Sequence, residues 1–376
     1  MARLRIGLSG LIGAALATAP LSIAAQAPAQ VKLRSADAKL DHEFTRIGTV
    51  RELKDGRVLV TDRGEKQLSV VDFRAGTVET VGRRGAGPSE YSDPNRLFQL
   101  AGDSAILDAG SRRWLILVGA KIVATIPADN PGVVAARGLT AGADYSGRIV
   151  SSHFAGKAFG GPATLVDSQY LVIVNRSNGH VDTVGRLRSP QTVVSGTIRG
   201  ADGKVVPLQM GGPYYDATDQ AVMFSDGWIA VARLSPYRVE WLPPKGRWLP
   251  GSPLAEAVPL DAREKQAYVE RSARRAGRPP RSSPGQIGPW PSTIPEFFGF
   301  DPGVLLTGPA GRLVVRRSPT AEHEETRYDF IDRTGTRSLQ LAMPETERVV
   351  GFGVKSVYVA WRDNDNIERL RRHPWP

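Results

Sequence analysis

Short apolar runs dominate the hydrophobic pattern of this 376-residue chain. Residues 115–118 read Leu-Ile-Leu-Val and residues 170–174 read Tyr-Leu-Val-Ile-Val, without the apolar and polar alternation of a strand that has one wet face. Runs of this kind indicate strands covered on both faces. A parallel sheet flanked by helices would contain them too, but its crossover helices need a 3.6-residue periodicity that the chain almost entirely lacks.

An internal repeat accompanies these runs. Residues 71–83 and residues 174–186 lie 103 positions apart and are identical at seven of 13 positions. Each copy contains a strand, an Asx-to-Gly turn and a second strand, and residues 331–336 are a weaker third copy. A second landmark, a tight turn directly before an apolar strand, occurs six times. These turns are Asp55-Gly56, Gly102-Asp103, Ser146-Gly147, Asp226-Gly227, Gly311 and Val354-Lys355.

Six landmarks predict six repeating units. Neighbouring landmarks are about 45 residues apart, the length of four short strands, except at two places where the step is about 80 residues. We therefore predict an all-β fold, a six-bladed β-propeller, because each blade of a propeller is covered by two others. The two long steps predict insertions at about residues 188–219 and 251–297.

The second insertion contains the one convincing helix pattern. Asp261 and Glu264 have the spacing of a capping box, and Gly277 ends the helical pattern. The helix is mostly polar, with Tyr268 and Val269 as its few apolar anchors. We therefore predict a short helical insertion on the surface.

The two ends of the chain predict how the ring closes. The last unit has three strand patterns, at residues 348–352, 356–361 and 367–371, and residues 31–40 would supply a fourth. Pairing the first strand with the last blade removes an open edge and ties down both termini. The predicted propeller is therefore closed by an N-terminal strand.

Residues 1–30 have the pattern of a secretory signal peptide. Two arginines precede an apolar stretch at residues 6–19, and Ala27 and Ala29 fit the small-x-small cleavage pattern. An uncleaved N-terminal anchor helix is the alternative. We predict that residues 31–376 form a single periplasmic or extracellular propeller. Because no later segment has 18 consecutive apolar residues, no transmembrane span is expected after signal cleavage.

Composition narrows the function classes. Hydrophobic residues make up 41% and charged residues 23%, which excludes a disordered chain, a collagen and a multi-span membrane protein. The absence of Cys excludes a disulfide framework, a thiolate metal site and a cysteine nucleophile. Forty-nine Lys and Arg against 38 Asp and Glu give a net charge of +11, or +9 without the two arginines of the leader. An excess of this sign favours anionic partners.

Residues 82–91, Gly-Arg-Arg-Gly-Ala-Gly-Pro-Ser-Glu-Tyr, followed by Pro94, resemble the G-x-G-x-G-x-[FY]…P signature of NHL-type propeller repeats. The mature chain resembles secreted bacterial six-bladed β-propeller proteins with degenerate NHL-like repeats, and residues 361–368 resemble the last blade of that group. One blade carries the full signature and the others depart from it. The resemblance implies the fold and export, but no single activity, because propellers serve as binding platforms, lactonases, lyases and scaffolds.

Strand order decides which loops share one end of the ring. In a four-stranded blade, the loop between the second and third strands lies on the same end as the connections between blades, which we call the insertion face. Every unit has a basic residue at the end of its second strand there, and the loop at residues 82–94 adds another. The predicted basic ring consists of Arg63, Arg84, Arg112, His153, Arg233, Arg316 and Arg362. Guanidinium groups around a channel mouth would bind carboxylate, phosphate or sulfate; incidental surface charge is the alternative.

No catalytic or metal-binding constellation stands out. The five histidines have no metal-ligand spacing, and residues 363–366 (Asp-Asn-Asp-Asn) lack the Gly and the final Glu of a calcium loop, so a hairpin turn is predicted there. Gly82, Gly85 and Gly87 match neither a P-loop nor a dinucleotide fingerprint and are predicted to allow positive φ and tight packing. We predict no catalytic residue, no metal and no cofactor.

These observations favour a binding or scaffolding role over catalysis. The expected partner on the insertion face is an anionic small molecule, an envelope polymer or a protein. Nucleic acid is not expected, because the chain is exported and has no motif of interleaved aromatic and basic residues. Two alternatives stay open: a hydrolase or lyase with its site at the channel mouth, and a structural envelope protein whose charge only aids solubility.

Overall fold

The computed structural model describes most of the chain after the leader. The described residues are 28–94, 96–102, 104–108, 113–136, 139–154, 168–189, 195–199, 205–209, 215, 217–275, 290–298 and 303–376. Residues 1–27, which hold most of the predicted signal peptide, and Arg112 lie outside them. Within the described residues, neither helix combines the length and the hydrophobicity that crossing a membrane would require.

Six antiparallel sheets follow one another along the chain and form the six blades of a β-propeller, which confirms the predicted fold. From the channel outwards, the strands of blades 1 to 3 are Ile47–Glu52, Val58–Asp62, Gln67–Asp72 and Thr77–Thr80; Arg96–Gln99, Ser104–Asp108, Trp114–Val118 and Lys121–Ile126; and Leu139–Ala143, Arg148–Phe154, Ser168–Asn175 and Val181–Arg188. Those of blades 4 to 6 are Gln220–Met223, Ile229–Leu234 and Tyr237–Leu242; Leu305–Thr307, Leu313–Arg316, Thr326–Ile331 and Arg337–Met343; and Glu347–Phe352, Ser356–Arg362 and Glu368–Pro374.

Shorter elements join or extend the blades. The additional strands are Ala29–Val31, Ala38–Lys39, Arg83–Arg84, Glu90–Tyr91, Ser195–Arg199, Val205–Gln209, Val258–Pro259 and Thr293–Ile294. The helices are Pro131–Ala135 and Ala262–Arg275, with a single 3-10 turn at Pro309–Gly311. The hairpin of Ser195–Arg199 with Val205–Gln209 and the helix Ala262–Arg275 fall within the two predicted insertions.

The apolar core lies between the blades. Each of the six blade interfaces contains its own cluster of buried apolar side chains, including the interface between the last blade and the first. In the second strand of blade 1, Val58 and Val60 pack toward blade 6 whereas Leu59 packs toward blade 2. Both faces of a blade are therefore buried, which is why its strands are continuous apolar runs.

Blade 4 departs from the four-strand pattern. Its sheet has three strands, and the place of the fourth is taken by a single bridge in which Trp241 and Leu249 exchange backbone hydrogen bonds. Pro243 and Pro244 directly follow the third strand, and Pro250 follows Leu249. Since proline has no N–H to donate, these residues prevent a longer ladder.

The N-terminal segment pairs with two blades. Ala38–Lys39 is antiparallel to the outer strand Glu368–Pro374 of blade 6, whereas Ala29–Val31 runs parallel to the outer strand Arg337–Met343 of blade 5. The segment predicted as one strand is thus two short ones on neighbouring blades. That these pairings are what closes the ring remains a prediction.

The helix Ala262–Arg275 begins as predicted but uses its second capping residue differently. The Asp261 carboxylate accepts from the Glu264 amide at 2.9 Å, which satisfies one end of the capping box. The Glu264 carboxylate instead accepts from the amide of Ala321 at 2.8 Å, on the loop between the second and third strands of blade 5. The cap therefore also fastens the helix to the insertion face.

Candidate anion-binding cleft

The structure places the seven residues of the predicted basic ring in different surroundings. Arg63, Arg316 and Arg362 line one cleft on the insertion face, between blades 5, 6 and 1. The other described members, Arg84, His153 and Arg233, lie elsewhere, and Arg112 lies outside the described residues. A ligand-binding role for the ring as a whole stays a prediction.

Arg233 is held in an ion-pair network on blade 4. Its guanidinium lies 2.9 Å from the Asp219 carboxylate and 2.8 Å from the Glu240 carboxylate, and Glu240 also pairs with Arg238. Burial disfavours the ionised form of Glu240, but the hydrogen bonds from the two arginines outweigh it and lower the pKa of Glu240. The carboxylates of Asp219 and Glu240 thus have their ion-pair partners within blade 4.

His153 lies against a short helix rather than at the channel mouth. It is half-buried between blades 2 and 3 and hydrogen-bonds to the backbone of Ala135, in the helix Pro131–Ala135. Burial lowers the pKa of its imidazole. Arg84, by contrast, is exposed on the loop at residues 82–91.

Arg113 organises that loop. Its guanidinium donates to the carbonyl oxygens of Gly85, Ala86, Gly87 and Glu90 at 2.7 to 3.2 Å. The predicted basic ring contains the preceding residue, Arg112, and no role was predicted for Arg113. A guanidinium that donates to four carbonyl groups of one loop has a structural role. The glycine-rich loop was the feature of the sequence that could have indicated this role.

The cleft itself has a volume of about 380 Å³. It is lined by Thr45, Arg46, Ile47, Arg63, Phe298, Arg316, Arg317, Ser318, Pro319, Glu324, Glu325, Thr326, Glu345, Thr346, Glu347, Arg348, Ala360, Arg362 and Glu368. Six of these side chains are arginines and five are glutamates. Whether the cleft attracts anions therefore depends on how its glutamates are used.

Cations inside and outside the cleft already pair with most of the glutamates. Glu368 is 2% exposed and lies 2.7 Å from the Arg348 guanidinium and 3.1 Å from that of Arg362. Glu347 lies 2.9 Å from Arg371, which is not part of the lining. These glutamates leave little negative charge facing the cleft.

An arginine of the inserted helix pairs with two more of them. Arg274, in the last turn of Ala262–Arg275, lies 3.5 Å from Glu324 and 3.3 Å from Glu345. Arg271 is buried in the same helix and donates to the carbonyl oxygens of Pro319 and Thr320. The insertion thus places a positive charge beside two glutamates of the cleft lining.

Arg316 and Arg317 are neighbours with opposite roles. Arg317 pairs with Asp329 at 2.8 Å and with Glu296, and its guanidinium lies 4.9 Å from the ring centre of Tyr237. Burial raises the pKa of Glu296, although Arg317 acts in the opposite direction. Both residues border the cleft, but the Arg317 guanidinium is held by these partners at the interface between blades 4 and 5.

Arg316 is half-buried, and among the described residues its guanidinium has no hydrogen-bond or ion-pair partner. Asp62 accepts from the amides of Thr45 and Arg46, two residues of the lining, at 2.8 and 3.0 Å, which fixes the segment that leads into blade 1. Sequence reasoning missed Arg46 and Arg348 because neither lies at the end of a second strand.

The other candidate sites behave as structural turns. The Asp363 carboxylate accepts from the amides of Asp365 and Ile367 at 3.0 Å, so residues 363–367 form a hairpin turn. The described residues contain no group of three or more His, Cys, Asp or Glu side chains placed to share a metal ion. No catalytic grouping was predicted, and none is assigned.

Comparison with known proteins finds solved structures to which the chain is similar. No protein-family model matches the chain, and no curated protein matches it. A structure from Bacteroides fragilis NCTC 9343, assigned as an exported protein, is 11% identical, with 92% of this chain and 94% of that chain covered and a TM-score of 0.47. A protein assigned as a gluconolactonase is 9% identical, with 90% and 92% covered and a TM-score of 0.45. Virginiamycin B lyase from Staphylococcus aureus is 9% identical, with 89% and 97% covered and a TM-score of 0.41. Likenesses this distant carry no conclusion about activity.

Proposed function

We propose that this protein is an exported binding propeller that takes an anionic ligand in the cleft between blades 5, 6 and 1. The observation that carries the proposal is Arg316, a half-buried guanidinium that lines the cleft and has no partner among the described residues. Arg63 and Arg362 share the cleft with it. A carboxylate, phosphate or sulfate group accepts charge-assisted hydrogen bonds from guanidinium forks and would supply the missing partner.

Export is the part of the proposal that rests on sequence. The leader pattern at residues 1–30 and the absence of Cys both suit a periplasmic or extracellular protein. In that compartment the partner would be a small anion, an anionic envelope polymer or an acidic protein segment. All three would present the same chemistry to Arg316.

The first test is calorimetric titration of residues 31–376 with inorganic phosphate, sulfate and citrate at low and high salt. We expect binding that weakens with salt, because screening reduces the attraction of partly exposed charges. Arg316→Gln should weaken binding about tenfold or more, since a hydrogen bond to a charged group contributes about 1.5 kcal/mol or more. Heparin serves as the polymeric anion in a parallel series.

Arg84→Gln is the matched control. It removes the same charge from the same face, but Arg84 is exposed and lies outside the cleft lining. It should leave the affinity within about twofold, because a distant exposed charge contributes little. Equal losses in the two variants would contradict a defined cleft site and favour diffuse surface charge. No binding of any anion would favour the structural envelope protein.

A further inference from the structure

The central channel is a second cavity, separate from the cleft. It has a volume of about 700 Å³, within the range of about 300–1,000 Å³ that small-molecule pockets occupy. The first strands of all six blades line it, through residues 48–52, 96–99, 140–143, 220–223, 305–307 and 350–352. The loops between the first and second strands of blades 3 to 6 line its mouth on the face opposite the insertions.

The charges that line the channel are balanced in number. Three arginines and three carboxylates take part in the lining: Arg51, Arg96, Arg333, Glu52, Asp219 and Asp226. Equal numbers of each sign give this lining no net charge, unlike a site built to capture an anion or a cation.

Each of these charges is also engaged by the protein. Arg51 donates to the Gly102 carbonyl at 3.2 Å, and Arg96 donates to the Thr140 carbonyl at 2.5 Å. Glu52 accepts from the Tyr358 hydroxyl at 2.5 Å.

The other two carboxylates pair with arginines. Asp219 pairs with Arg233 at 2.9 Å, and Asp226 pairs with Arg333. The ionised groups of the lining thus have their partners within the blades.

The groups that still face the lumen are neutral. Ser152 is 6% exposed and lines the channel, yet its hydroxyl forms no hydrogen bond with the described part of the chain. Gln169, 3% exposed, gives its amide N–H to Ser189 at 3.0 Å, which leaves the side-chain oxygen of Gln169 as an acceptor. The hydroxyls of Thr49 and Thr307 also line the channel without a partner among the described residues.

The mouth on the opposite face adds an aromatic ring. Tyr145 is 49% exposed there, and its hydroxyl accepts a hydrogen bond of 3.4 Å from the side-chain amide of Gln99. A tyrosine ring presents an apolar face and a polar tip, which suits a ligand whose own surface is mixed in the same way.

We propose that the channel binds a neutral polyhydroxylated ligand, a saccharide that enters past Tyr145. Hydroxyl groups donate and accept at once, so they match a lining of neutral hydroxyls and side-chain amides. A charged ligand would have to displace a hydrogen bond or an ion pair that the charged side chains of the lining already make. An apolar ligand would leave the buried hydroxyl of Ser152 unsatisfied, which costs free energy.

The test is saturation-transfer NMR on residues 31–376 with a panel of neutral disaccharides: maltose, cellobiose, lactose, trehalose and N,N′-diacetylchitobiose. We expect at least one to bind. Thr307→Trp, which fills the mouth, should abolish its signal, and Ser152→Ala should weaken its affinity several-fold by removing one neutral hydrogen bond. Cellobiouronic acid, which adds a carboxylate, should bind more weakly than cellobiose.

Two variants keep the test falsifiable. Thr336→Trp makes the same change at an exposed position of the same face outside the channel lining, and it should leave the signal intact. Arg316→Gln, in the cleft, should also leave it intact, so that failure of the channel proposal is separable from failure of the anion proposal. Absence of binding across the neutral panel, or a signal that survives Thr307→Trp, would overturn the proposal.

Discussion

At the scale of single residues, two glycines with the same backbone conformation differ only in what surrounds them. Gly76 and Gly82 have φ of 68° and 72°, in the left-handed region. A Cβ on Gly82 would lie 2.7 Å from Cδ1 of Ile122 and 2.9 Å from the carbonyl oxygen of Ser89, whereas a Cβ on Gly76 would meet nothing within 4 Å. The sequence predicted positive φ and tight packing at Gly82, and the structure identifies the Ile122 side chain and the Ser89 carbonyl as the groups that it packs against.

This pair makes a matched test. Gly76→Ala should lower the free energy of unfolding by about 1 kcal/mol, the cost of left-handed backbone for an L-residue. Gly82→Ala should lower it by about 2–4 kcal/mol, because steric overpacking adds to that cost. Urea unfolding of both variants measures the difference. Equal losses would mean that the loop at residues 82–91 relaxes around the added methyl group.

At the scale of elements, the inserted helix is attached by its own small core. Tyr268 is buried against Tyr215 and Trp290, with ring centres 4.8 and 5.5 Å apart, and this cluster is separate from the six between blades. Arg274 of the helix also pairs with Glu324 and Glu345 of the cleft lining. An element attached by a satellite core can detach while the blades stay folded.

We therefore expect Tyr268→Ala to loosen the helix selectively. Truncating a buried aromatic side chain costs about 3–5 kcal/mol. Amide hydrogen exchange should accelerate across Ala262–Arg275, while the strands of blades 1 and 2 keep their protection. Gln266→Ala, at an exposed position of the same helix, should change the exchange rate of neither the helix nor these strands. Loss of protection throughout the propeller would contradict this, because it would make the insertion part of the main core.

At the scale of the whole molecule, the seam between the last blade and the first depends on one buried carboxylate. Glu368 of blade 6 accepts from the amide of Ile47 of blade 1 at 2.8 Å, across 321 residues of sequence. It also accepts from Arg348, which in turn donates to the Ile47 carbonyl at 2.6 Å. Burial disfavours ionisation of Glu368, but Arg348, the Ile47 amide and Arg362 outweigh it and lower its pKa.

The seam should therefore be sensitive to acid. A carboxyl whose pKa folding depresses stabilises the protein above its unfolded pKa, about 4.3, and this stabilisation is lost as pH falls through the folded pKa. Glu368→Gln should lower the free energy of unfolding by about 3 kcal/mol at pH 7, and its difference from the parent should narrow toward pH 3. Urea unfolding at several pH values measures this.

The control for the seam is Glu79→Gln, an exposed position on the outer strand of blade 1. It should stay within about 0.5 kcal/mol of the parent at every pH. A Glu368→Gln difference that does not change with pH would show that the loss is one of packing rather than of charge.

The sequence by itself determined the architecture of this protein. Apolar runs, turn landmarks and a repeat at a 103-residue spacing can be read from the sequence directly, and strands buried on both faces have few alternative folds when crossover helices between them are missing. The tertiary structure decided the chemistry. Arg316 and Arg317 are alike in sequence and both border the cleft, yet Arg317 is paired with Asp329 and Glu296, whereas Arg316 has no ion-pair partner among the described residues. Which charge is left for a ligand depends on which carboxylates folding brings beside each arginine, and no spacing along the chain reports such distances.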